Sequence, residues 1–215
     1  LHVGRNDAEG FFYYVMELAD DVETGREIEP TGYIPNTLKE VRARRHRLPA
    51  AEAIALAVEL AEGLAELHQR GLVHRDIKPS NIILVGGAPK LADIGLVVST
   101  RNSELTMSRV GNPGYMPPDF PGVPSADVFG LGRVLYELAM GRERDDFPAL
   151  PDLGALPDRK ELLELNEILL RACAPDPARR YRDAGALLDD LRLLQAGKSV
   201  RRLRAAERHL ARALR

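Results

Sequence analysis

Across residues 49–68 the apolar side chains Ala57, Leu60, Ala61, Leu64 and Leu67 recur at three- and four-residue spacing, with Glu52, Glu59, Glu62 and Glu66 on the other face. That period places the apolar groups on one stripe of an α-helix. Over 125–140, Val128, Leu131, Leu135 and Leu138 are joined by Phe129, Val134 and Tyr136, so the predicted helix is apolar nearly all round and belongs in the core. Two amphipathic helices are predicted at 159–174 and 183–196, separated by the breaker APDPARRY. Before them, GFFYYVMELA at 10–19 suits a strand buried on both faces, and 20–36 is a long loop or insertion rich in Gly, Pro, Thr and Glu. The stretch 71–98 alternates short β-prone runs with polar residues around a Gly86-Gly87 turn, and predicts short hairpins that carry loops. Residues 99–124 have no period but many Ser, Thr, Pro and Gly, as a long surface loop does. The pattern is mainly α with short β hairpins around one core.

Composition narrows the setting. A net charge of -2 over 215 residues gives no overall attraction to nucleic acid or membrane, and no nucleic-acid partner is expected. The longest apolar stretch, 49–67, is interrupted by four glutamates, each costing about 3 kcal/mol at a bilayer centre, so it is not a membrane span. Cys173 is the sole cysteine; no internal disulfide can form, and the expected compartment is reducing and cytoplasmic. The chain opens at Leu1 without a basic-then-apolar leader, and is expected to be part of something longer.

The chemistry concentrates in His74-Arg75-Asp76-Ile77-Lys78-Pro79-Ser80-Asn81, followed twelve residues after Asn81 by Asp93-Ile94-Gly95. These segments resemble the catalytic loop and metal-binding triplet of eukaryotic-type serine/threonine protein kinases, here of a bacterial kind. The resemblance implies a kinase large, C-terminal lobe over 20–196, preceded at 1–19 by a remnant of the small, N-terminal lobe and the hinge. Its implied activity is ATP-dependent phosphorylation of serine or threonine on protein substrates. Asp76 would accept or orient the proton of the attacking hydroxyl, and Lys78 would neutralise charge on the moving phosphoryl group. Asn81 and Asp93 would supply hard oxygen ligands to Mg2+. Met16 would guard the back of the ATP pocket, Glu17 to Ala19 would be the hinge that meets adenine, and Ile83 would form part of the floor. His74 and Ile94 are implied to be packing residues.

The resemblance extends to Gly111-Asn112-Pro113-Gly114-Tyr115-Met116-Pro117-Pro118-Asp119, where the family usually has Thr at Asn112, Ala at Pro117 and Glu at Asp119. It implies an anchor for the catalytic loop at Asp127, a pair between Asp119 and Arg180, and a phosphate on the activation segment, first choice Thr106, read by Arg75. The family's glycine-rich loop, strand lysine and partner glutamate do not occur before residue 10. The missing small lobe is therefore an expected partner, and the 215 residues alone are expected to be inactive. The alternative is a kinase-like lobe that acts as a non-catalytic binding or regulatory module. The tail at 197–215, with seven Lys or Arg against Glu207, is expected to be a basic linker helix leading to a further domain or a membrane anchor.

Overall fold

The computed structural model describes residues 2–6, 11–93, 98–99, 113–119 and 122–213. Among them six α-helices and three two-stranded antiparallel sheets form. The first sheet pairs β1 (His2–Asn6) with β2 (Phe11–Val15), which runs out into the extended segment 16–19. The chain then passes beside β4 (Ile82–Val85), where Asp20 N donates to Leu84 O at 2.7 Å and Leu84 N donates to Asn36 O at 2.8 Å. The loop between is organised by Asp21, whose Oδ1 accepts from Glu23 N (2.8 Å) and Thr24 N (3.0 Å) and whose Oδ2 accepts from Ile34 N (2.8 Å). Three backbone donors on one carboxylate hold it well below the usual range, at about 2.

The hydrophobic pattern did not foresee α1 (Leu38–Arg45). Leu38 and Val41 are its buried residues, and charged groups occupy most other positions, too few apolar groups for a period to show. α2 (Ala50–Gln69) follows the predicted span. Its first amide, Ala50 N, donates to Asp158 Oδ2 at 2.7 Å, and Arg47 grips the same carboxylate with two 3.0 Å bonds. A carboxylate is favoured at a helix N-terminus, and this one ties α2 to the start of the helix that begins at Arg159.

α3 (Pro124–Met140) is buried along nearly its whole length, as its nearly all-round apolar pattern predicts. Around it α4 (Arg159–Ala172) and α5 (Ala184–Gln195) complete the core, with α2 against α5 and α3 against α4. The contact with α4 is close at Gly132, where a Cβ would stand 2.7 Å from Cys173 Sγ and 3.0 Å from Ala172 Cβ. Cys173 itself is a packing group, its thiol pushed up to about 12 by burial. The basic tail forms α6 (Val200–Ala213), and its beginning is docked: Val200 is buried, Ser199 Oγ donates to Glu164 at 2.7 Å, and Arg204 pairs with Asp190.

The remaining sheets carry the loops. β3 (Leu72–Val73) pairs with β6 (Val98–Ser99), and β4 pairs with β5 (Ala88–Leu91) through the predicted Gly86-Gly87 turn. Both glycines have positive φ, 60° and 79°, as a tight two-residue hairpin turn demands. Asp20 accepts from their amides at 2.8 and 2.9 Å, so the segment after β2 and the hairpin tip are held as one unit.

Two outcomes follow. Gly132→Ala is expected to lose about 1–3 kcal/mol by overpacking, whereas Gly63→Ala, with nothing within 4 Å of its added methyl, gains up to about 1 kcal/mol in helix propensity; equal urea midpoints for the two variants would contradict the packing. For Asp21 the folded carboxyl titrates at about 2 against an ordinary 3.8, so the folded state holds fewer protons between these values. Its stabilisation is full above the ordinary value and is lost as pH falls through about 2. The gap in urea midpoint between wild type and Asp21→Asn should therefore narrow steadily on acidification below the ordinary value, and a gap independent of pH would count against it.

Candidate active site

The loop after β3 is built on one buried carboxylate. Asp127, on α3 and 2% exposed, accepts from His74 N and Arg75 N, each at 2.7 Å. Successive amides that converge on an anion require a left-handed turn, and Arg75 has φ 70°. A third donor is His68 at the end of α2, whose Nε2 lies 3.1 Å from Asp127 Oδ2 while its Nδ1 accepts from Ala184 N at 3.1 Å. That pair of contacts places the ring proton on Nε2. His68 thus joins α2, α3 and α5 at the root of the loop. The sequence offered it only as the last turn of a helix, since both partners lie far along the chain.

Beyond the anchor, Asp76 is 6% exposed and its two oxygens are used differently. Oδ2 accepts from Lys78 Nζ at 2.5 Å and from Asn81 Nδ2 at 2.8 Å; Oδ1 is buried and has no hydrogen-bond partner. Asn81 Nδ2 also donates to Asp76 O at 3.0 Å, which fixes its amide so that Oδ1 points away from Asp76. The spacing of Asp76, Lys78 and Asn81 thus does bring the three together, with the short 3-10 turn Pro79–Asn81 closing the loop.

Asp93 arrives from β5. His74 is fully buried, and its Nε2 lies 3.1 Å from Ala92 O, which links the catalytic loop to the residue before Asp93. Asp93 is exposed with φ 59°, a conformation that costs a non-glycine residue about 1–3 kcal/mol and persists where the surroundings impose it. Asp93, Met16, Glu17 and Ile83 share the wall of one cavity of about 390 Å3. Leu18 and Ala19, the other hinge residues expected there, are not on that wall; Ala19 is buried with Ile83, Val85 and Ala92, and its carbonyl accepts from Tyr33 Oη at 3.1 Å. Ile94, Thr106 and Asn112 lie outside the described residues.

An oxygen ligand set for Mg2+ is chemically consistent with Asn81 Oδ1 and the Asp93 carboxylate, a carboxamide and a carboxylate. Among the described residues no group of three His, Cys, Asp or Glu stands together as a metal cluster. A bound ion would therefore complete its shell with phosphate oxygens and water.

Residues 113–119 are also tied to α3. Arg180, 3% exposed, reaches Asp119 Oδ1 at 2.9 Å with one nitrogen and Ala174 O at 2.9 Å with Nε. The contact to Asp119 is through one oxygen, in keeping with the shorter acid. Tyr115 Oη donates to Glu137 at 2.7 Å; burial first, then this bond, raises its phenol above the ordinary value. Glu137 is fully buried on α3, and Arg42 of α1 stands 3.5 Å from it. Nothing in the spacing of this glutamate along α3 announced its partners, which only the fold brings near. Gly130, one turn after Asp127, lets Ile77 and Tyr115 approach so closely that a Cβ would meet Ile77 Cβ at 3.1 Å and Tyr115 O at 3.2 Å.

Residues 7–147 match the protein kinase domain family. Serine/threonine-protein kinase AfsK of Streptomyces coelicolor is 38% identical over 170 residues, which cover 69% of this chain and 21% of that protein. AfsK of Streptomyces griseus is 35% identical over 177 residues, covering 74% and 22%. Serine/threonine-protein kinase PknL of Mycobacterium tuberculosis is 34% identical over 175 residues, covering 72% and 43%. The chain spans about a fifth of the length of the two AfsK relatives. With the anchored loop, the Asp119–Arg180 pair and this match in agreement, the chain belongs to the protein kinase family.

Proposed function

We propose that this chain is the large lobe of an enzyme that phosphorylates serine or threonine on protein substrates, with Asp76 as the residue that takes the hydroxyl proton. The observation that carries it is the division of labour at Asp76: Oδ2 is saturated by Lys78 and Asn81, while Oδ1 has no hydrogen-bond partner among the described residues. A serine or threonine hydroxyl supplies that partner. As its oxygen bonds to phosphorus and the bond to the leaving diphosphate breaks, the proton passes to Oδ1. Mg·ATP, when bound, supplies the phosphoryl group and the cation that spreads its charge. Lys78 holds Asp76 in place and presents a positive charge beside the developing one. Asn81 Oδ1 and Asp93 would hold the metal, and Met16, Glu17 and Ile83 would bound the base.

In this reading the phosphate-covering loop and strand lysine come from chain outside these 215 residues, which alone are not expected to turn over. In the complete protein, Asp76→Asn and Asp93→Asn are each expected to lower transfer to a protein substrate by about 100-fold or more. Their melting temperatures should stay within a few degrees of wild type, since neither side chain belongs to the apolar core. Phosphorylation above a tenth of the wild-type rate in either variant would defeat the assignment and leave the non-catalytic docking lobe as the better reading.

A further inference from the structure

A second cleft, of about 620 Å3, opens directly beside the reactive pair. Its wall includes Lys78 and Ser80 of the catalytic loop, Lys39, Arg42 and His46 of α1 and the turn after it, and Arg144 beyond α3. Any chain that presents a hydroxyl to Asp76 lays its neighbouring residues along this wall. The charges there are one-sided once their pairings are followed. Glu143, the one carboxylate on the wall among the described residues, is paired with Arg42 at 2.6 Å. Glu137, behind it, is fully buried and shared between Tyr115 and the same arginine. Lys39 is exposed and makes no ion pair among the described residues, and His46, held at φ 57° past the end of α1, is exposed beside it. Arg144 lies over the Tyr115 ring at 5.0 Å; its backbone N donates to Glu137 Oε1 at 3.4 Å, and its side chain stands 3.9 Å from the solvent-exposed Asp145. Among the described residues the cations on this wall outnumber its one carboxylate, which is already paired, so an acidic peptide meets Lys39 and Arg144 while a basic one meets mainly like charge.

Resting on the kinase reading above, we propose that the substrates are acidic: serine or threonine segments with Asp or Glu within about four residues of the acceptor, a reach of about 13 Å for extended chain, read by Lys39 and Arg144. Opposite charges along a cleft raise encounter rates, and like charges reject the wrong partner. The specificity is thus carried by α1 and the segment after α3, apart from the residues that move the phosphoryl group.

The test uses the complete protein and three serine peptides that differ only in their flanks: Asp/Glu, Ala/Gln or Arg/Lys. The acidic peptide should exceed the basic one in kcat/KM by about tenfold at low salt, the sum of a few exposed pairs, and the advantage should shrink as salt is raised. Lys39→Glu should lower kcat/KM for the acidic peptide and raise it for the basic one, an exchange that loss of folding cannot produce. Equal or better transfer to the basic peptide overturns the inference and leaves the kinase reading standing. Absence of transfer to all three defeats the kinase reading itself. Anisotropy titration with the acceptor changed to alanine then decides the cleft separately: tighter binding of the acidic peptide supports it, and equal binding overturns it.

Discussion

Asp127 brings a carboxylate to a place 2% exposed to solvent, deep on the helix that the rest of the lobe surrounds. A charge there is tolerated only when its oxygens are saturated with donors. His74 N, Arg75 N and His68 Nε2 provide them. The direction of dependence matters: the catalytic loop has no regular structure of its own to satisfy those amides, so the position of Asp76 is inherited from α3. The positive φ of Arg75 is the local cost of letting two successive amides face one anion.

From α3 the same logic spreads outward. Its glutamate, Glu137, fixes Tyr115 and Arg42; its Gly130 admits Ile77 and Tyr115 at close range; its Gly132 admits α4. One buried helix therefore sets the loop 74–81, residues 113–119, and the α1 face of the second cleft. The side of the first cavity is arranged differently. There Asp20 clamps the β4–β5 hairpin and His74 reaches across to Ala92, so the cavity wall shared by Met16, Glu17, Ile83 and Asp93 is coupled to the same loop through short polar links.

What the sequence made legible follows from where the information sits. Asp76, Lys78 and Asn81 are within six positions of one another, so their grouping is local and survives any detail of packing. The helices over α2 to α5 have enough apolar residues to impose a period. α1 does not, because Leu38 and Val41 suffice to seat eight residues whose remaining side chains face water or ion pairs. His68 and Glu137 were silent for another reason: their meaning lies in partners brought close only by the tertiary fold, such as Ala184 N and Tyr115 Oη. Ala19 belongs with them, since its carbonyl accepts from Tyr33 Oη, fourteen residues along the chain, a contact that only the fold creates. The basic tail was readable as a helix, but its seat on Glu164 and Asp190 depends on carboxylates from α4 and α5.

The dependence of the loop on Asp127 is open to direct measurement by amide hydrogen exchange in the wild type and Asp127→Asn. Asparagine keeps the shape but retains one acceptor oxygen, so one of the two loop amides is left unsatisfied in a buried place. A penalty of about 1–3 kcal/mol corresponds to exchange faster by about tenfold to a hundredfold at His74 and Arg75, with amides in the middle of α2 and α4 unchanged. Undiminished protection at both loop amides in Asp127→Asn would contradict the account, because the loop would then be held by something other than the buried carboxylate.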